Sequence, residues 1–335
     1  MSAVPGGGAR VFLTGATGFI GGRLAAALHD RGYRLRCLVR SMERARALAD
    51  MGAELVEGDV TSPEAMARGL EGAGLAIHLA ARYEVGIVDA SALDAVNVGG
   101  TRVFLDAVRT AATPLAIHVS STAALGPVPA GEGNEESAYD GPYPSVYHRT
   151  KTEAHRLALA AQRDGLPLII VCPANVYGPG DEGPGGRFMA DILRHRVPGL
   201  STRPAVFSYV HVDDVVDGLV AAAERGTPGS AYVLAGEAES VNGFATRVAD
   251  LAGTWVSPLR FPPSLVRATG SLMDAVSRLT GWAMPISREL AMTGGSGDRW
   301  VHSHARAAAD LGYTPRTLAE GLPETVLHAK RQLRG

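Results

Sequence analysis

Val11-Phe12-Leu13-Thr14-Gly15-Ala16-Thr17-Gly18-Phe19-Ile20-Gly21 couples a short apolar run to three glycines spaced three apart. Beyond them Leu24, Ala25 and Leu28 recur at helical spacing until Gly32 stops the helix. The whole reads as strand, tight turn and helix. Gly15 lets the chain turn sharply, Gly18 admits backbone N–H groups to a pyrophosphate, and Gly21 lets the helix lie close on the strand. A phosphate then sits at the positive end of the helix. In a chain with 41 glycines the spacing alone is weak, but the strand before and the helix after supply the context of a dinucleotide site. Gly15, Thr17, Gly18, Phe19, Ile20 and Gly21 are therefore its first candidates.

Further along, apolar runs at Arg34–Val39, 53–56, 75–79, 115–119, 166–171 and 231–234 each follow a segment of helical periodicity. That alternation predicts an α/β fold: a doubly wound parallel Rossmann sheet of about seven strands, covered on both faces. At 335 residues the chain exceeds what one core usually organises, so a smaller, mainly helical C-terminal substrate domain is expected. The Gly/Pro-rich texture of 179–204 and the breakers within 259–298 place the division. Residues 9–175 with about 206–235 would bind the nucleotide, and 176–205 with 236–330 would form the substrate domain and lid. No internal repeat is visible.

A formal charge of −2 gives no electrostatic footprint for nucleic acid or an acidic membrane surface, and no apolar run approaches a membrane span. Cys37 and Cys172 sit in apolar strands and read as buried thiols, which fits a reducing, cytoplasmic setting. The N-terminus lacks the charged and apolar regions of a signal peptide. No pair among the ten histidines has metal-ligand spacing backed by carboxylates, so no metal is expected.

The second strand carries the identity of the cofactor. An acidic residue near its end would hold the ribose 2′-hydroxyl of NAD, but here the strand ends Leu38-Val39-Arg40-Ser41, with Arg44 one turn on. A guanidinium pairs with a 2′-phosphate, so NADP(H) is favoured over NAD(H). Asp59-Val60, after the third strand, offers a carboxylate to the adenine amino group, a role compatible with a turn before Pro63.

Two later segments carry the chemistry. Ser120-Ser121-Thr122 brings hydroxyls to the ligand-binding edge of the sheet, and Tyr147 and Lys151 share a helix face. A neighbouring ammonium would lower the phenol's pKa towards the working range of an acid–base catalyst. The phenol would then pass a proton while Thr122 holds the substrate oxygen.

These pieces, with Gly58-Asp59-Val60, His78-Leu79-Ala80-Ala81, Asn97-Val98-Gly99-Gly100-Thr101, Asn175-Val176-Tyr177-Gly178-Pro179, Val210-His211-Val212-Asp213-Asp214-Val215 and Leu311-Gly312-Tyr313-Thr314-Pro315, resemble the extended short-chain dehydrogenase/reductase family along nearly the whole chain. The resemblance implies a triad of Thr122, Tyr147 and Lys151, with Ser121 replacing Thr122 if the register shifts by one. It implies that Asn97 supports a proton relay and the helix below the site. Leu79, Ala80 and Ala81 would line the path of the cofactor, and Pro173 would lie beside the nicotinamide. It also implies a homodimer through the helix after Asn97 and the helix bearing Tyr147, although Val103, Leu105, Ala107, Val108, Ala154, Leu157 and Ala161 would equally cover a sheet.

Within the family, Cys172 and Phe207-Ser208-Tyr209 stand where many sugar-nucleotide enzymes carry arginines, while Val39-Arg40 looks like the NADP-dependent reductases related to dihydroflavonol reductases and 3β-hydroxysteroid dehydrogenases. The expected substrate is a small carbonyl or alcohol compound. Arg187 and Arg203 keep open an NDP-sugar epimerase or dehydratase using bound NAD, whereas Tyr147 and Lys151 argue against a non-catalytic NADP sensor. Tyr83, Tyr143, Asn175 and Val176 are candidates for the substrate pocket. His78 and His118 read as core residues, Asp213 and Asp214 as helix caps, and Trp255, Trp282 and Trp300 as packing or pocket groups.

Overall fold

The computed structural model describes residues 8–84, 89–280 and 293–334. Strands buried on both faces form a seven-stranded parallel sheet, as the continuous apolar runs require. The first six in chain order are β1 (Arg10–Thr14), β2 (Arg34–Val39), β3 (Glu54–Glu57), β4 (Leu75–His78), β5 (Leu115–Val119) and β6 (Leu168–Pro173). Then come β7 (Asn175–Tyr177), β8 (Leu200–Ser201), β9 (Val206–His211) and β10 (Ala231–Leu234), the last of which completes the large sheet. Its order, β10-β6-β5-β4-β1-β2-β3, reverses direction between β1 and β4, the crevice where such sheets bind ligands. Helices α1 (Phe19–Asp30), α2 (Arg46–Asp50), α3 (Pro63–Leu70), α4 (Ala90–Leu93), α5 (Gly100–Thr110) and α6 (Val146–Arg163) belong to this half.

A smaller core lies beyond the strand ends. It gathers Tyr177, Met189, Leu200, Tyr209, Phe244 and Leu322 from α7 (Pro184–Leu193), α9 (Val241–Ala252), the short strands and α12 (Leu318–Gln332). β9 pairs with β7, with β11 (Ala238–Ser240) and with β13 (Arg299–Trp300), and β12 (Arg260–Phe261) pairs with β8. α10 (Pro263–Thr280) follows β12. Residues 236–330 do not all serve this core. Ala307 and Leu311 of α11 (Ala305–Leu311), with Tyr313, pack into the large one against α8 (Val212–Arg225).

Of the seven apolar residues named above on α5 and α6, Leu105, Val108, Ala154 and Ala161 are buried within the chain itself, and Val103, Ala107 and Leu157 are partly covered. No helix among the described residues is long and apolar enough to cross a membrane.

The cap of α8 differs from expectation. His211, fully buried, supplies it by accepting from the Asp213 amide at 3.3 Å, because its ring lies over the helix start while both aspartates already belong to the first turn. An accepting Nδ1 is unprotonated, and burial holds the His211 pKa below its usual value. Asp214 instead accepts from the Arg316 amide and from Arg316 Nε, both at 2.9 Å, fixing the approach to α12. Asp214→Ala removes a buried carboxylate, leaves the Arg316 amide without its acceptor and should lower stability in urea denaturation by about 2 kcal/mol. Asp213→Ala, at a half-exposed carboxylate, should cost under about 1 kcal/mol.

Candidate active site

At Gly15 φ is +78°, and a Cβ there would lie 2.7 Å from the Ala80 nitrogen. A Cβ at Gly21 would meet the Gly15 carbonyl oxygen at 2.0 Å. Both positions therefore exclude every side chain. Gly18 takes the N-cap of α1 and no side chain caps it, which leaves the first amides of the helix for an anion.

Thr17, Gly18, Phe19 and Ile20 line the near end of a single cavity of about 1450 Å³. The cavity passes Arg40, Asp59 and Val60, follows Leu79, Ala80 and Ala81, and reaches Ser121, Thr122, Tyr147, Lys151 and Pro173. It continues past Tyr83, Asn175 and Val176 into the smaller core, where Phe188, Phe207, Tyr209, Phe244 and Trp300 form its walls. The candidates thus converge on one space, with four exceptions. Gly21 packs beneath the turn, Arg44 is exposed away from the cavity, and Asn97 is buried behind it. Tyr143 stands edge-on to Tyr139 outside the lining, because the 125–145 loop folds over itself rather than over the site. Asp59 is engaged in its own turn, accepting from the Thr61 amide and hydroxyl at 3.0 and 2.8 Å.

Ser145 caps α6 by accepting from the His148 amide, and the helix carries both Tyr147 and Lys151 into the cavity wall. Lys151 is 4 % exposed and its Nζ donates to the Val119 carbonyl at 3.0 Å. Burial lowers its pKa to about 8. The Tyr147 pKa is pushed up to about 12 by burial, against the expectation of a depressed value, and a hydrogen bond with Ser121 opposes only part of this. The phenol is therefore held protonated at neutral pH.

Ser121, the alternative to Thr122 if the register shifts by one, is the hydroxyl that bears on the Tyr147 pKa. β5 ends at Val119 and the single-turn helix Thr122–Ala124 follows, with Ser121 as its N-cap accepting from the Ala123 amide at 3.2 Å. Thr122 lines the cavity beside it, while Ser120 turns inward to His155 at 2.9 Å. The Tyr83 ring lies 4.4 Å from that of Tyr147.

Asn97 lies in a π-helical turn, Asp94–Gly99, in which the chain makes one wider loop before α5. Its side chain accepts from the Arg82 amide at 2.7 Å and donates to the Arg82 carbonyl and to the Thr150 hydroxyl. It ties the loop after β4 to α6 as a positioning residue. The same turn supplies Asp94, which pairs with both terminal nitrogens of Arg149 at 2.9 and 2.8 Å.

Sequence reasoning offered Trp300 as a pocket group but missed that it forms a wall with His148 and Phe207, the rings lying 5.0 and 6.3 Å from one another along the row. They are separated by scores of residues, and no local pattern joins them. Trp300 is buried, Trp255 is exposed, and Trp282 lies outside the described residues. Arg187 lines the cavity and Arg203 does not. His78 bonds to Thr14 at 2.9 Å, whereas neither ring nitrogen of His118 has a hydrogen-bond partner among the described residues. His211, Asp213 and Glu324 approach within 4.8 Å of one another, but Arg23 and Arg316 already pair with Asp213, and Arg316 with Glu324.

The chain is 32 % identical over 270 residues to "Sterol demethylase protein B" of Methylococcus capsulatus, covering 79 % of this chain and 81 % of that protein. It is 31 % identical over 340 residues to "3 beta-hydroxysteroid dehydrogenase/Delta 5-->4-isomerase" of Mycobacterium tuberculosis, covering 94 % and 90 %. The crystal structure of gox2253 superposes with a TM-score of 0.81 at 30 % identity, covering 97 % of this chain and 98 % of that one. Residues 11–235, from β1 through β10, match the family's own pattern, and the chain belongs to the NAD dependent epimerase/dehydratase family.

Proposed function

We propose that the protein is an NADP(H)-dependent oxidoreductase, moving a hydride between nicotinamide C4 and the carbonyl or alcohol carbon of a bulky, largely apolar small molecule. The observation that carries this reading is the Tyr147 phenol, grouped with buried Lys151 and the Ser121 and Thr122 hydroxyls midway along a cavity running from the glycine turn to an aromatic chamber. The cradle fits a dinucleotide, because the spaces at Gly15 and Gly21 would be filled by any Cβ and the N-terminus of α1 carries no side-chain cap. Arg40, on the cavity wall at the end of β2, suits a 2′-phosphate. Bound there, the nicotinamide supplies the hydride.

The chain's own groups manage the proton. Tyr147 donates its phenolic hydrogen to the substrate oxygen in reduction, Ser121 orients the phenol, and Thr122 offers a second hydroxyl. Lys151 places a positive charge beneath the site, fixed by the Val119 carbonyl, and Asn97 holds α6 against the loop after β4. The chamber of Phe188, Phe207, Tyr209, Phe244 and Trp300 favours an apolar body, consistent with the sterol and steroid names of the two relatives. We further read residues 9–175 with about 206–235 as the nucleotide-binding part, most of the remainder as the substrate-binding part, and the functional unit as a homodimer. Arg187 on the cavity wall supports a second reading, an NDP-sugar epimerase or dehydratase.

Calorimetry with NADPH, NADH and UDP-glucose separates the two. Tight NADPH binding with little sugar-nucleotide affinity supports the reductase, and clear UDP-glucose binding favours the alternative. Tyr147→Phe should leave NADPH affinity nearly unchanged and lower turnover by two or more decades, with Ser121→Ala costing more than Thr122→Val, all read from steady-state rates. Arg40→Asp should move the NADP/NAD preference towards NAD, measured as the ratio of kcat/KM values. Because burial keeps Tyr147 protonated, carbonyl reduction should stay level to pH of about 8 and fall as Lys151 loses its proton, while alcohol oxidation should rise with pH. Initial rates in both directions across pH 6–10, roughly the range set by these groups, check it.

A further inference from the structure

The net charge of −2 conceals an uneven distribution. Three stretches, 192–202, 251–273 and 325–333, contain no carboxylate and carry Arg194, Arg196, Arg260, Arg267, Lys330 and Arg331. None of these six forms an ion pair among the described residues. The stretches are neighbours in space. β8 pairs with β12, Thr254 bonds to His195 at 3.0 Å, Ser257 donates to the Pro198 carbonyl at 2.7 Å, and Lys330 donates to the Ala252 carbonyl at 2.8 Å. They border one another in the smaller core; the nearest carboxylates in sequence are Asp191, which feels the charge of Arg196 and Arg194, with Asp250, Asp274 and Glu324.

The same face holds most of the chain's exposed apolar bulk. Of eight large apolar side chains strongly exposed among the described residues, six lie here: Leu251, Trp255, Leu259, Leu265, Leu272 and Leu327. Trp255 and Leu272 are 61 % and 65 % exposed. Scattered exposed leucines are ordinary, but a cluster interleaved with unpaired cations is not. The face also rims the cavity, since Arg194, Arg196, Val266 and Leu333 are among its lining residues.

We propose that this face docks on the surface of an anionic phospholipid bilayer, with the apolar side chains entering the interface and the arginines and lysine meeting the headgroups. Charge selects this occupant. A second copy packed face to face through a two-fold axis would set these cations against themselves. An anionic bilayer pairs with them and accepts the tryptophan and leucines together. The docked cavity then opens at the level where apolar molecules dissolve.

The test is sedimentation of the full chain with vesicles of phosphatidylcholine, with and without phosphatidylglycerol, at low and high salt. Binding should require phosphatidylglycerol and fall by about tenfold or more at high salt, as screened charges demand. The pair Arg260→Glu with Arg267→Glu, and separately Trp255→Ser with Leu272→Ser, should each weaken binding about tenfold without changing the urea midpoint or turnover of a small water-soluble carbonyl compound. Failure to bind phosphatidylglycerol vesicles at low salt overturns the proposal. So does undiminished binding by both variants, or an apolar variant that alters oligomeric state and leaves vesicle binding intact. No outcome depends on turnover of the natural substrate, so the reductase reading stands or falls separately.

Discussion

Nothing larger than hydrogen fits between the first strand's turn and its two neighbours. Gly15 nests against Ala80 at the end of β4, and Gly21 rests on the Gly15 carbonyl, so α1 is drawn to the crevice between β1 and β4. The cofactor groove, the orientation of α1 and the distance from turn to reacting centre all follow from that contact. A side chain at either position would push the helix away and leave its amides without an anion to face.

From this fixed end the site is assembled by burial. Lys151 is taken out of water and tied to a strand carbonyl, while Tyr147 is raised well above its ordinary range. Low polarity disfavours the charged form of both groups, the ammonium of Lys151 and the phenolate of Tyr147, so it lowers one pKa and raises the other. The asparagine behind them contributes through position, since its three hydrogen bonds hold backbone and helix together.

The glycine turn, the strands and the Tyr147–Lys151 pair were legible because each is written in consecutive residues or in a fixed helical spacing. β5 and β10 fall on the apolar runs at 115–119 and 231–234. The placing of Ser121 and Thr122 along the cavity was less legible, because it depends on where β5 stops and on a single helical turn that no periodicity announces. Likewise, the cap of α8 fell to His211 since a buried ring reached the amide before either carboxylate. The net charge of a near-neutral chain also averages over local runs without carboxylates, such as 251–273.

The wide turn at Asp94–Gly99 holds one residue more per loop than an α-helix would. A residue of α-helix corresponds to about 100° of rotation, so the extra one acts as an angular offset. Remove it, and an uninterrupted helix would carry Asn97 about a quarter-turn away from Thr150 while leaving the composition almost unchanged. Length in this segment is thus a design variable as exacting as residue identity, and an alignment gap here would signify a rotated site rather than a trimmed loop.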